Sequence, residues 1–164
     1  MADTHALTRI ADQLRRLHEG DAWHGPSLHE ALDGVTAEMA TKKVLASAHT
    51  IYALTHHVAA WANEVTHRLR GRQPRLPDEG DFPLPVDGLT GVEWEQIKAR
   101  LGTAHARLAE AVLAFDPARL HETVAPARDA PLGTGVTYYG MLHGLIQHDA
   151  YHAGQIVLLK REIA

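Results

Sequence analysis

Residues 137–161 read TYYGMLHGLIQHDAYHAGQIVLLKR and carry the clearest helical pattern in the chain. Apolar side chains recur there at intervals of three and four residues, which places them on one face of an α-helix. The centre of that face is formed by Tyr138, Met141, Leu142, Leu145, Ile156 and Leu159. A break over 126–135, with proline at one end and glycine at the other, precedes the stretch. The spacing therefore predicts a long final helix.

Three earlier segments show the same periodicity. A first helix is predicted over 3–19 and a second over 48–70. The third helix begins at a capping box formed by Thr90 and Glu93, in which each residue satisfies a backbone N–H of the first turn. A second capping box predicts a short helix over 27–34 in the first connection.

The connection over 72–89 contains four prolines and two glycines, so neither a helix nor an inner strand is expected there. A connection of this length is typical of a crossover between helices that point the same way in a bundle. No stretch alternates with the period of two that marks a β-strand. The sequence therefore predicts an all-α protein, a four-helix bundle with short extra helices in its connections, as a single domain over 1–164.

The composition excludes several classes of protein. The chain has no cysteine, which excludes disulfides, thiolate metal ligands and a cysteine nucleophile. Its net charge is −4, and its densest basic patch is only Arg68, Arg70, Arg72 and Arg75, so we expect no nucleic-acid partner. No apolar run approaches the roughly 18 residues that cross a membrane, and no signal peptide is visible, so we expect no membrane association and a cytoplasmic protein.

Histidine is abundant, with 13 residues in 164, and His148 and His152 lie four residues apart. Residues at this spacing are neighbours on one helix face, with Cβ atoms about 5–6 Å apart, which suits two ligands of one metal ion. Histidines scattered at random would give about one such pair in this chain, so the spacing alone does not establish a site.

The helical wheel gives a second argument for a metal site. His152 lies about 25° and His148 about 65° from the centre of the final helix's apolar face, and His57 lies about 70° from that of the second helix. The helical wheel therefore predicts that three histidines from two helices point into one core, whereas His56 falls on the solvent face. The alternative is a core-edge histidine bonded to a carbonyl, together with a partly exposed pair.

Further residues are candidates for the surroundings of such a site. Asp149 projects about 35° from the centre of the apolar face and could bond a ligand imidazole, or equally the backbone or a neighbouring helix. Trp23 and His24 could line the mouth of a pocket, although a hinge before a helix explains them equally well. Trp61 and Trp94 are expected in the core, and His105 is expected to be a hydrogen-bonded helix histidine rather than a fourth ligand.

The chain resembles the DinB/YfiT-like superfamily of four-helix metal-binding proteins. The resemblance covers nearly the whole chain and is most specific in HTIYALTHHVAAW over 49–61 and LHGLIQHDAYHAGQI over 142–156. It implies that the metal ligands are His57, His148 and His152. It also implies an up-down-down-up order of helices, a homodimer, and one divalent ion, nickel or zinc. Some members are thiol S-transferases that use bacillithiol or mycothiol, some are thiol-dependent isomerases, and others are described as metal-dependent hydrolases.

Three neutral imidazoles suit zinc or nickel and leave at least one position open for water or a small-molecule substrate. The ion lowers the pKa of bound water to about 7, which supplies hydroxide, and it deprotonates a bound thiol in the same way. We expect a thiol S-transferase-like enzyme that activates a low-molecular-weight thiol, as cosubstrate, for attack on a small electrophile. A hydrolase using metal-bound hydroxide and a non-catalytic dimeric helical module remain as alternatives. The sequence singles out no catalytic residue.

Overall fold

The computed structural model describes residues 4–163, which form helices joined by turns and loops, with one isolated β-bridge between Thr123 and Thr137. The helices are α1 (Thr4–Glu19), α2 (Leu28–Leu32), α3 (Ala37–Thr41), α4 (Ile51–Leu69), α5 (Gly91–Leu113) and α6 (Tyr138–Ile163), and a 3₁₀ turn covers Pro117–Arg119. The all-α prediction is confirmed for these residues. None of the described helices is long and apolar enough to cross a membrane.

Side-chain caps set the beginnings of the helices. The capping box at Ser27 is present, with Ser27 Oγ accepting from the Glu30 N–H and the Ser27 N–H donating to Glu30 Oε2. The box at Thr90 is present in the same form. Helix α4 begins at Ile51 rather than at the expected residue 48, because Thr50 is its N-cap and accepts from the Ala53 N–H at 3.1 Å.

The four long helices α1, α4, α5 and α6 pack in a closed ring of neighbours. Helix α4 contacts α5 and α6, and α1 contacts the same two helices from the other side. Their buried faces form two apolar clusters. One contains Leu14, Leu108 and Leu142, and the other contains Leu54, Trp94 and Ile156. The up-down-down-up order of the helices stays a prediction.

A buried ion pair fastens two non-helical segments to α4. The Glu64 carboxylate is fully buried and accepts from Arg68 Nε at 2.9 Å, from the Arg75 N–H at 3.1 Å and from the Arg72 guanidinium. Arg68, itself buried, donates onward to the backbone carbonyls of Leu132 at 2.8 Å and Arg75 at 3.3 Å. Part of the basic patch in the sequence therefore ties the 72–89 and 126–135 connections to the helices.

Candidate metal centre

Two helices bring three histidines together in the wall of one cavity. His57 comes from α4, and His148 and His152 come from successive turns of α6. One ring nitrogen from each lies within 4.8 Å of the others. The Nε2 atoms of His57 and His148 are 2.8 Å apart. His57 and His152 are buried, and the side chain of His148 is 30% exposed.

The second nitrogen of each ring faces an oxygen that accepts a hydrogen bond. His57 Nδ1 lies 2.8 Å from the Asp81 carbonyl oxygen, His148 Nδ1 lies 3.0 Å from Asp149 Oδ1, and His152 Nδ1 lies 2.6 Å from Gln155 Oε1. Because these oxygens accept, each Nδ1 carries the hydrogen, and each Nε2 of the neutral ring has a lone pair. A cation between the Nε2 atoms of His57 and His148 would satisfy both lone pairs. The three side chains therefore fit one divalent metal ion.

The 72–89 connection forms one side of this centre. Phe82 stacks on the His57 ring with centroids 4.0 Å apart and on the His49 ring at 3.7 Å. Asp81 accepts from His57 through its backbone oxygen and from Trp61 Nε1 through Oδ1 at 2.8 Å. A segment without regular structure thus fixes the ring plane and the tautomer of the α4 histidine.

A hydrogen-bonded chain supports His148 from the opposite side. Asp149, fully buried, accepts from His148 Nδ1 through Oδ1 and from His105 Nε2 through Oδ2, each at 3.0 Å. His105 Nδ1 faces the Leu101 carbonyl at 3.1 Å. Both nitrogens of His105 face oxygen acceptors, so this ring links the backbone of α5 to the buried carboxylate of Asp149.

Burial controls the protonation of the site. Loss of hydration lowers the pKa of His57 and lowers the pKa of His152 to about 4, which keeps these rings in the neutral form that ligates metals. Burial alone raises the pKa of the Asp149 carboxyl, but hydrogen bonds from His105 and His148 outweigh it and hold that pKa below its ordinary value. Asp149 is therefore a carboxylate that accepts from both rings.

The cavity beside the histidines has a volume of about 590 Å³. Its walls are mainly apolar and include Trp61, Val65, Phe82, Leu132, Met141 and Leu145. This size and lining suit a small organic ligand with one end at the three histidines. Trp61, expected in the core, is half-buried in this wall, whereas Trp94 is buried as expected and donates to the Val35 carbonyl at 2.7 Å.

Other residues considered from the sequence lie elsewhere. The structure does not bring Trp23 and His24 to the cavity, since Trp23 is fully exposed and His24 lines a separate surface depression beside Tyr151. His56 lies in the groove between α4 and α5, away from the three clustered histidines. The sequence did not reveal the contribution of His105, because its contact with Asp149 depends on how α5 packs beside α6.

His18 of α1 packs against His105, and its burial leads to a prediction about the pH dependence of stability. Its ring stacks on His105 with centroids 4.7 Å apart and planes 8° apart. Burial lowers the pKa of His18 from 6.5 to about 4, and the nearby His105 and His29 contribute to the same shift. Asp149 has the opposite effect. Between these values the unfolded chain binds more protons than the folded chain. The free energy of unfolding should therefore fall by up to about 3 kcal/mol as the pH drops from 6.5 to 4.

Urea denaturation of the metal-free protein at several pH values between 4 and 7 measures this effect. His18→Gln should reduce the slope across that window without abolishing it, because it removes one buried titrating ring while His57 and His152, whose pKa values are also lowered, remain. His5→Gln, the same change at an exposed position of α1, should leave the dependence as in the wild type. Equal pH slopes in the wild type and His18→Gln would contradict the prediction.

The comparison with known families agrees with the arrangement of these residues. The model of the DinB superfamily matches residues 22–156, a stretch that contains all three clustered histidines as well as Asp149 and His105. No curated protein and no solved structure matches the chain. Because the family match covers well over half of the sequence, the chain belongs to the DinB superfamily.

Proposed function

We propose that the protein is a metal-dependent enzyme that attaches a low-molecular-weight thiol, through its sulfur, to a small electrophile. His57, His148 and His152 would hold the ion, nickel or zinc, by their Nε2 atoms. A divalent ion in an all-imidazole site keeps its full charge and supplies a Lewis acid that favours the thiolate form of a thiol. The observation that carries the proposal is the convergence of one ring nitrogen from each of three histidines in the wall of an apolar cavity.

The positions of the nearby carboxylates favour a thiol over water as the nucleophile. Asp149 faces the Nδ1 side of His148, and Asp81 is engaged with His57 and Trp61. Among the described residues that line the cavity, Asp81 is the only carboxylate, and its Oδ1 already accepts from Trp61 and faces His57, so few groups there could serve as a general base for water. A thiol needs less help from a base, because its ordinary pKa of about 8.5 is already close to neutrality.

The apolar walls would exclude water and place the electrophile next to the sulfur. In the proposed reaction a bond forms between the thiol sulfur and the electrophilic carbon, and the bond from that carbon to its leaving group breaks. The thiol proton goes to solvent, and the leaving group departs with the electron pair of its bond. The chain itself contributes the three imidazoles, the hydrogen-bonded oxygens that orient them, and the shape of the cavity.

The test measures the consumption of a chromogenic aryl halide by zinc- or nickel-loaded protein, with and without a low-molecular-weight thiol such as a cysteine derivative. The proposal predicts a rate that rises with thiol concentration to saturation and is absent in His57→Ala. His56→Ala, the adjacent histidine outside the cavity, is the matched control and should retain the wild-type rate. Turnover that is indifferent to thiol would instead indicate a hydrolase, and no turnover of any electrophile would favour a non-catalytic module.

The homodimer also stays a prediction, and the outer face of α6 supports it. From Tyr139 to Leu158 the exposed positions of this helix carry no charged side chain, and Tyr139, Tyr151 and Leu158 are large exposed hydrophobic residues. A surface helix ordinarily presents charged residues to solvent. This composition is therefore more typical of a helix face that is covered by another protein chain.

A further inference from the structure

The three histidines of the centre are not equally constrained. The His57 ring is buried and stacked on Phe82, and His152 is buried beside Gln155. His148 is the most exposed of the three, with 30% of its side chain accessible. Its direction therefore depends more heavily on the hydrogen bond from Nδ1 to Asp149 Oδ1.

Asp149 cannot set that direction by itself. It follows His148 in sequence, so the two side chains leave α6 about 100° apart, and Asp149 points into the packed interior while His148 borders the cavity. A buried carboxylate must have partners for both oxygens, and Oδ2 finds its partner on another helix, at His105 Nε2.

His105 is well suited to hold this carboxylate in place. It is 3% exposed, its Nδ1 faces the Leu101 carbonyl of its own helix at 3.1 Å, and its ring is stacked on His18. The ring therefore has a fixed plane, and its Nε2 hydrogen points at Asp149 Oδ2. The chain of contacts runs from the backbone of α5 through His105 and Asp149 to His148.

We propose that His105 is a positioning residue of the metal centre, which acts by holding Asp149 so that the carboxylate aims the Nε2 atom of His148 at the ion. The inference rests on the proposed function, since it assigns a role in binding the same ion. Loss of such an outer hydrogen bond typically weakens metal affinity about 10- to 100-fold.

Two substitutions of His105, by glutamine and by asparagine, distinguish a positioning role from a packing role. The amide of His105→Gln reaches about as far as Nε2 and can still donate to Asp149. The amide of His105→Asn lies near the position of Nδ1 and can serve Leu101 but not Asp149. We expect His105→Asn to bind Zn²⁺ about 10- to 100-fold more weakly than the wild type in competition with a chromogenic chelator. His105→Gln, which leaves Asp149 a donor, should stay within about threefold of the wild type.

Two spectroscopic readouts would not respond to a merely structural role. The visible absorption of the Co²⁺-loaded protein should change in His105→Asn and be preserved in His105→Gln. In the metal-free protein, ¹⁵N–¹H correlation spectra should place the His148 hydrogen on Nδ1 in the wild type and in His105→Gln, and show loss of that preference in His105→Asn.

Equal Zn²⁺ affinities of the asparagine and glutamine variants, or an unchanged His148 tautomer in both, would overturn the positioning role. A wild-type protein that binds no Zn²⁺, Ni²⁺ or Co²⁺ would instead overturn the proposed function, and the tautomer measurement on metal-free protein would still decide the role of His105. Far-UV circular dichroism of each variant identifies any variant that has lost the helical fold.

Discussion

His152→Ala should abolish stoichiometric metal binding while leaving the helices intact. The imidazole of His152 is one of three nitrogen donors that converge, and its removal leaves two, with a cavity where the third stood. The expected loss of affinity exceeds the roughly 100-fold that removal of an outer hydrogen bond costs, because a direct ligand is lost. Metal content by mass spectrometry after dialysis, and Zn²⁺ affinity by chelator competition, measure the effect.

Two histidines near the centre provide matched controls. His56 is adjacent to His57 but lies in the groove between α4 and α5, and His143 lies on α6 and packs against Tyr139. Alanine at either position should leave the metal content at the wild-type level. Metal that persists at one equivalent in His152→Ala, or that falls equally in the controls, would show that these three imidazoles do not form the site.

Glu64→Leu should destabilise the metal-free fold by roughly 3–5 kcal/mol, because it leaves the Arg68 guanidinium buried without its carboxylate. The side chains of Glu64 and Arg68 are 0% and 1% exposed, so water cannot replace the lost partner. Backbone contacts at Leu132 and Arg75 depend on the same guanidinium, so both connections should loosen. Urea denaturation followed by circular dichroism gives the free energy of unfolding.

The double variant Glu64→Leu/Arg68→Met tests the cause. Part of the lost stability should return, because an apolar pair of similar volume often replaces a buried ion pair without loss, although the Arg72 guanidinium and the Arg75 N–H still lack their acceptor. Glu95→Gln is the surface control, since it breaks the exposed i,i+3 pair with Lys98 and should cost less than about 1 kcal/mol. A Glu64→Leu protein as stable as the Glu95→Gln control would contradict the account of the buried pair.

The parts of the fold that depend on local sequence could be predicted. The caps at Ser27 and Thr90 act within three residues, and the apolar faces of α4, α5 and α6 repeat along one chain segment, so both are visible in the sequence. Helix α3 could not be recognised, because its five residues are too few to show a period and only Thr36 marks its start. The beginning of α4 was misplaced because Ala48 and His49 suit a helix as well as they suit the irregular segment in which they lie.

In the site too, features set by one helix could be predicted, and features set by contacts between distant segments could not. The inward direction of His57, His148 and His152 follows from the periodicity of their own helices, and the structure brings these three together. The contacts of Asp81 and His105 with the centre link residues 24 and 44 positions apart in sequence. Such contacts depend on the docking of a loop and on the pairing of two helices, which the sequence pattern of either partner does not encode by itself.

The contribution of Asp81 and Phe82 has a thermodynamic consequence. These residues belong to a proline-rich segment that has no hydrogen-bonded ladder of its own, yet they hold the plane and the tautomer of one imidazole of the centre. An ion that binds only the assembled arrangement adds its binding free energy to the docking of that segment, by mass action. Binding of the metal ion and docking of the 72–89 connection are then one linked equilibrium. A change that displaces this connection also releases the cation.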